Sequence, residues 1–297
     1  MNYYNEHTSI WLNGNIVKAA DAKIDLYSQT MHYGYGVFEG IRSYKTVTGE
    51  TRIFKPEEHY TRLQKSAEAL NIPYAFSNQE LIEATYRVLD LNGQQDAYIR
   101  PLVYAPANMS FVKNTETNLV IMTWEMAPFL GDKLLRVVSS SFQRPNPKGF
   151  YIHAKAAGHY VNSILASQEA KAKGYDEALL SDMDGYIAEG PGANVFFEKN
   201  GVLFTPSTGN ILPGITRATV MEICADLQIQ VVEKKCTRED IYDADAAFFC
   251  GTAAEVIGWD SLDDNGFRKQ WNNSISRTVQ LAYKNRVIEK SEALTSI

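Results

Sequence analysis

The chain has 297 residues, 45% of them hydrophobic and 22% charged, with a net charge of -6. That balance is an ordinary globular protein's, long enough for two domains or one large one, and it argues against a nucleic-acid partner, since phosphate backbones are bound by basic faces. The three cysteines, Cys224, Cys236 and Cys250, show no paired spacing and suit a reducing compartment.

In chain order, "SIWLNGNIVKA" sets Asn13-Gly14 between apolar flanks and predicts a hairpin. "GVFEGIRSYK" and "TRIFK" read as two strands joined across "TVTGE". Pro56 suits a first helical position, and Tyr60, Leu63, Ala67 and Leu70 share one face of the helix it opens. A second helix starts at Ser77, with Glu80 placed for a capping box, and stops at Asn92-Gly93. "DAYIRPLVYA" and "NLVIMTW" are strands. The pattern then breaks at Pro128 and Gly131, so the expected organisation is a small N-terminal domain over 1–125, an interdomain loop over 126–133 and a larger C-terminal domain over 134–297.

Beyond the break, "LLRVVSSS" is a strand. "GHYVNSILASQEAKAKG" is a helix with Val161, Leu165 and Gln168 in the i, i+4, i+7 places and Gly174 past its end. Asp184-Gly185 and Asn200-Gly201 mark two more hairpins. A helix follows "LPGI", then strands at "QIQVVEK" and "AAFFC", and a last helix over "SISRTVQLAYKNRV". Strands and helices do not alternate strictly, so a regular barrel or doubly wound sheet is not expected. The start, "MNYYNEHT", lacks a basic-then-apolar signal, and "AAFFCGTAAEVIGW" is too short and too interrupted to span a bilayer. These features predict a cytoplasmic protein with no membrane partner.

Several chemistries are set aside by spacing. The five histidines form no HExxH or paired metal pattern, so no metal is expected. "GYGVFEG" is not the dinucleotide fingerprint, "DMDG" reads as a turn rather than a calcium loop, and no GxSxG elbow occurs. What remains is Lys155, among small residues in "HAKAAGHYVNS", and two turns suited to an anion. One is Gly214 ahead of the helix that opens with Ile215, Thr216 and Arg217; the other is "FFCGTAAE". Glu189 in "YIAEGPGANVFF" is equally a solvated turn carboxylate or a functional acid. Arg42 and Arg100, inside strands, need partners or a ligand, and a structural pair is the commoner outcome.

"HYGYGVFEGIRSY", "HYTRLQKSA", "DAYIRPLVY", "AKAAGHYVNSILASQEA", "GYIAEGPGANVFF", "ILPGITR" and "FFCGTAAEVIGW" together resemble the branched-chain amino-acid aminotransferases, pyridoxal phosphate enzymes of the fourth fold type. The resemblance implies an α+β, two-domain fold: a small N-terminal α/β sandwich and a larger C-terminal domain with a pseudo-barrel β core, the cofactor between them. It implies that Lys155 joins the aldehyde of pyridoxal 5'-phosphate. Glu189 would lie at the ring nitrogen and Tyr160 at the ring hydroxyl oxygen, with Arg62, Ile215, Thr216 and Thr252 on the phosphate. Tyr33, Phe38, Gly40, Trp124 and Ala253 would line the substrate pocket. The Thr252-Ala253 backbone would take the α-carboxylate, and Arg100, with Tyr98, the distal carboxylate of glutamate. The partners implied are amino acids and 2-oxo acids, and a second copy of the chain in a homodimer or larger homo-oligomer, with Tyr33 reaching a neighbouring site. One run departs from the family: "WEMAPFLG" stands where members carry Trp-Gly-Ala-Tyr-Leu-Gly, with Phe129 at the tyrosine.

An amine attacks an aldehyde only when unprotonated, so Lys155 needs desolvation or a neighbouring cation. Ala154, Ala156, Ala157 and Gly158 leave room for a flat ring. The activity implied is transamination between leucine, isoleucine or valine and 2-oxoglutarate. The alternatives are a D-amino-acid aminotransferase or an aminodeoxychorismate lyase of the same fold type and, from another class, a cofactor-free binding protein. An arginine in this pocket without its carboxylate is expected to be partly solvated or hydrogen-bonded.

Overall fold

The computed structural model of the chain describes residues 3–126 and 133–289. These fall into two compact units: 3–126 with 154–158 and 287–289, and 133–153 with 159–286. The stretch 127–132, with Phe129 and most of the expected interdomain loop, lies outside the described residues. The first unit is therefore more than the 1–125 expected. Segment 154–158 joins it because its backbone is bonded there: Phe38 N–H donates to the Lys155 carbonyl at 3.0 Å, and Ala156 bridges Val37.

The first unit is an antiparallel sheet backed by two helices. Its hairpin, β1 (Ser9–Leu12) and β2 (Asn15–Lys18), turns at Asn13 and Gly14, both at positive φ as a tight two-residue turn demands. A short α1 (Gln29–Tyr33), outside the elements expected from the sequence, is capped by the Ser28 hydroxyl. "GVFEGIRSYK" proves to be two strands, β3 (Gly36–Phe38) and β4 (Ile41–Lys45). The ladder breaks at Glu39, whose buried carboxylate needs partners from outside the sheet. Then follow β5 (Thr51–Ile53), α2 (Pro56–Ala69), α3 (Asn78–Leu91), β6 (Ala97–Tyr104) and β7 (Asn118–Glu125). Strand order is β2-β1-β7-β6-β4-β5, with β3 also on β6. Tyr60, Leu63 and Ala67 of α2 and Leu81, Val88 and Leu89 of α3 pack against Trp11, Ile41, Ile99 and Ile121 of the sheet. Each such large side chain contributes roughly 1.5–3 kcal/mol on burial.

The second unit begins with β8 (Leu135–Gln143), α4 (Tyr160–Ala172), β9 (Glu177–Ser181), β10 (Ile187–Glu189), β11 (Asn194–Lys199) and β12 (Val202–Pro206). It continues through α5 (Ile215–Asp226), β13 (Val231–Lys234), α6 (Arg238–Tyr242), β14 (Ala246–Gly251), β15 (Glu255–Leu262), β16 (Asn265–Gly266) and α7 (Ile275–Ile288). The strand order β10-β9-β8-β15-β14-β11 returns to its start, because β11 also pairs with β10. This closed ring is the barrel-like core, extended by β12 and β13. The parallel pairs β8–β9 and β12–β13 are bridged by α4 and α5, as parallel neighbours require. Leu135, Val195, Phe197, Phe249 and Trp259 fill one core cluster.

The buried face of α4 is not the expected one. Ser163, Ala166 and Ala170 face inward, against Val138, Ala178 and Leu180, while Val161, Ile164 and Leu165 are exposed. Small side chains let the helix axis lie close to the strands, which the larger apolar face could not do.

Candidate active site

Within the first unit, Lys155 is fixed by its backbone. Its N–H donates to the Ser66 hydroxyl at 3.0 Å, and its carbonyl accepts from Phe38. Gly158 N–H donates to the Gly34 carbonyl; a Cβ on Gly34 would stand 2.6 Å from Gly158 Cα, so the close approach needs glycine. The ammonium of Lys155 lies 5.3 Å from the Phe38 ring centroid.

Close by is a group that the sequence reading missed. Glu39 is 0% exposed. Its carboxylate accepts from Arg62 through Nε at 2.6 Å and Nη2 at 2.9 Å, and stands 2.6 Å from His59 Nδ1. His59 and Arg62 are one turn apart on α2, so one carboxylate meets both. Burial pushes the Glu39 carboxyl up, but Arg62 and His59 outweigh it and hold it well below the usual carboxylate range. Burial holds the His59 imidazole below its ordinary value despite Glu39. The triad is thus a charged Arg62–Glu39 pair with a neutral imidazole donating to it. A glutamate inside an apolar strand run was the available signal.

Arg100 sits in an aromatic cage. Its guanidinium is 4.5 Å from the Phe38 ring, 5.2 Å from Tyr98 and 5.9 Å from Trp124, and Nη2 donates to the Tyr98 hydroxyl at 3.1 Å. Tyr98 and Arg100 share a face of β6 by the two-residue period, and Tyr98 pairs with Trp124 in register. A Cβ at Gly40 would fall 2.0 Å from the Tyr98 oxygen, so glycine there makes room for this ring. The structure thus gathers Phe38, Gly40, Tyr98, Arg100 and Trp124. Tyr33 is apart from them: half exposed, it touches Phe111 and bonds the Met109 carbonyl. Arg42 is a buried strand arginine that donates to the Met126 carbonyl at 2.7 Å.

Within the second unit the hub is Asn194, also missed. Its Nδ2 donates to Glu189 at 2.9 Å and to the Leu212 carbonyl at 3.0 Å. Its backbone pairs with Glu189 on one side and Cys250 on the other. Glu189 is buried, accepts from Leu212 N–H at 3.1 Å and lies 2.9 Å from Arg144 Nε, an ion-pair distance without hydrogen-bond alignment. Gly214 precedes α5 and takes no side-chain cap, which leaves the first-turn N–H groups of Ile215 and Thr216 to an outside acceptor. Arg217 turns instead to Glu233 and the Pro206 carbonyl. The turn carrying Thr252 and Ala253 follows β14; a Cβ at Gly251 would come within 3.0 Å of the Gly192 carbonyl, in the loop after Glu189. Glu255 ends this turn at φ +56°, a strained value for a non-glycine residue. Tyr160 opens α4. A buried carboxylate and an uncapped helix start, tied through one asparagine, fit a ring nitrogen and a phosphate.

Residues 36–262 match the family model for amino-transferase class IV. The chain is 39% identical over 290 residues to a branched-chain-amino-acid aminotransferase of Pseudomonas aeruginosa, covering 96% of this chain and 94% of that one. It is 37% identical to the enzyme of that name from Escherichia coli K12, with 92% and 91% covered. The crystal structure of the branched-chain aminotransferase from Thermoproteus uzoniensis with norvaline superposes with a TM-score of 0.92 at 36% identity, covering 96% of both chains. That of the branched-chain amino acid aminotransferase from Thermobaculum terrenum, in its PLP-bound holo-form, gives 0.89 at 34%, with 96% and 95% covered. The chain belongs to the class IV aminotransferases and, within them, to the branched-chain-amino-acid aminotransferase family.

Proposed function

We propose that this protein transfers the amino group between leucine, isoleucine or valine and 2-oxoglutarate, with pyridoxal 5'-phosphate as cofactor. The observation that carries the substrate reading is Arg100 caged by Phe38, Tyr98 and Trp124. Aromatic walls accept an aliphatic side chain, and one arginine among them accepts the distal carboxylate of glutamate. The names of the whole-length relatives favour this over a D-amino-acid aminotransferase or a lyase.

When bound, the cofactor supplies an electron sink that acidifies the substrate Cα–H. Lys155 would hold the cofactor through Nζ, and its amine would be the base and acid that carries the substrate Cα proton. Such general base and acid work suits one well-placed amine. Glu189 would keep a proton on the ring nitrogen, and Tyr160 would hydrogen-bond the ring hydroxyl oxygen. Ile215, Thr216, Thr252 and Arg62 would hold the phosphate, and the Thr252-Ala253 backbone the α-carboxylate. The free, buried thiols of Cys224, Cys236 and Cys250 accord with a cytoplasmic setting.

Two measurements test this. Glutamate formation from 2-oxoglutarate is expected with L-leucine, L-isoleucine and L-valine and not with D-alanine; a D-alanine preference would sink the substrate reading. Borohydride reduction of the holoenzyme followed by peptide mapping is expected to label position 155, and a label elsewhere would sink the assignment of Lys155.

A further inference from the structure

The second unit holds a cavity of about 750 Å³ whose lining includes the cations Lys133, Arg268, Lys269, Arg277 and Lys284 and the acid Asp260. None of these residues has a part in the reaction above. Lys133 pairs with Asp176, Arg268 with Asp243, and Lys269 with Glu198 and Asp245. Arg277 and Lys284 have no carboxylate partner among the described residues. They lie seven residues apart on α7, hence on one face.

Arg277 is held from behind. Its Nη1 donates to Gln280 Oε1, which also accepts from Trp271 Nε1 at 3.3 Å. Gln280 is itself buried and anchored by its Nε2 to the Val256 carbonyl at 2.7 Å. Most of the guanidinium's five donors remain for something else. The Trp271 indole lies flat against Gly258, where a Cβ would meet the ring at 2.6 Å.

We propose that this cavity binds a small phosphorylated molecule. A phosphate dianion offers three acceptor oxygens to an oriented arginine fork and an ammonium on one helix face. The volume lies in the range of small-molecule sites and leaves room for an organic group against Trp271. The reading is independent of the transaminase reaction and survives or fails separately from it.

Phenyl phosphate serves as the probe, titrated calorimetrically into holoenzyme at low ionic strength, with leucine's 2-oxo acid in excess to fill the substrate pocket. Saturable binding is expected, weakened at least tenfold by Arg277→Ala and several-fold by Lys284→Ala, and absent with phenol. Lys284 is exposed, so Lys284→Ala decides the matter if Arg277→Ala does not fold. No saturable binding, equal affinity in wild type and the folded variants, or equal binding of phenol overturns the proposal.

Discussion

Glu39 carries three obligations at once. It is fully buried, it neutralises Arg62, and it orients His59. Removing it leaves a cation and an imidazole without their acceptor, so Glu39→Ala is expected to cost about 3–5 kcal/mol, read as a fall in the denaturation midpoint. The pH dependence has a definite sign. The Glu39 carboxyl titrates lower in the folded chain than its ordinary 4.5, so its contribution is full above that pH and is lost as pH falls below it. His59 also titrates lower than its ordinary 6.5 in the folded chain, so the unfolded chain takes up that proton first and stability falls below 6.5. Urea midpoints should therefore drop from pH 7 to pH 4, and Glu39→Gln should flatten the lower part of that drop. Arg100 is proposed to act on substrate rather than on stability. Arg100→Ala is expected to raise KM for glutamate and 2-oxoglutarate at least tenfold while changing KM for leucine little; equal losses would overturn its role.

At the scale of elements, what the sequence makes legible is local. The hairpins at Asn13-Gly14, Asp184-Gly185 and Asn200-Gly201 turn where their dipeptides require, and the Ser77 hydroxyl accepts from Glu80 N–H, one of the two bonds of the capping box its spacing indicates. The strand β15 and the helices α1 and α6 go unread, although α6 carries a capping box between Thr237 and Asp240. The inward face of α4 escapes because periodicity marks an apolar stripe and not which side meets the sheet. Asn194 and Arg144 are invisible for another reason: Arg144 meets Glu189 from 45 residues away and Asn194 meets Leu212 from 18, distances that only folding closes. Gly214 tests this arrangement. Its φ of -71° suits any residue, yet a Cβ would lie 1.9 Å from Asn194 Oδ1. Gly214→Ala should then displace the amide that ties Glu189 to the start of α5. A tenfold or greater loss of pyridoxal phosphate affinity, measured by absorbance titration, is the expected outcome.

At the scale of the molecule, one surface of the first unit is unusually apolar. Leu26, Tyr27, Met31, Phe111 and Val112 are all exposed, Phe111 at 90%. Monomers seldom leave such groups in water, which favours the homo-oligomer that the family resemblance implies. Phe111→Glu is expected to shift the protein toward monomer in light-scattering chromatography, and an unchanged mass would remove this face from the assembly.

The closed ring of the second unit is fastened between β10 and β11 at a single register pair, Glu189 with Asn194. The residue proposed to grip the ring nitrogen is thus also the clasp of the hoop. Whatever tightens on that carboxylate cinches the whole girdle, so loading the enzyme should slow amide exchange around the seam far more than its few contacts would suggest.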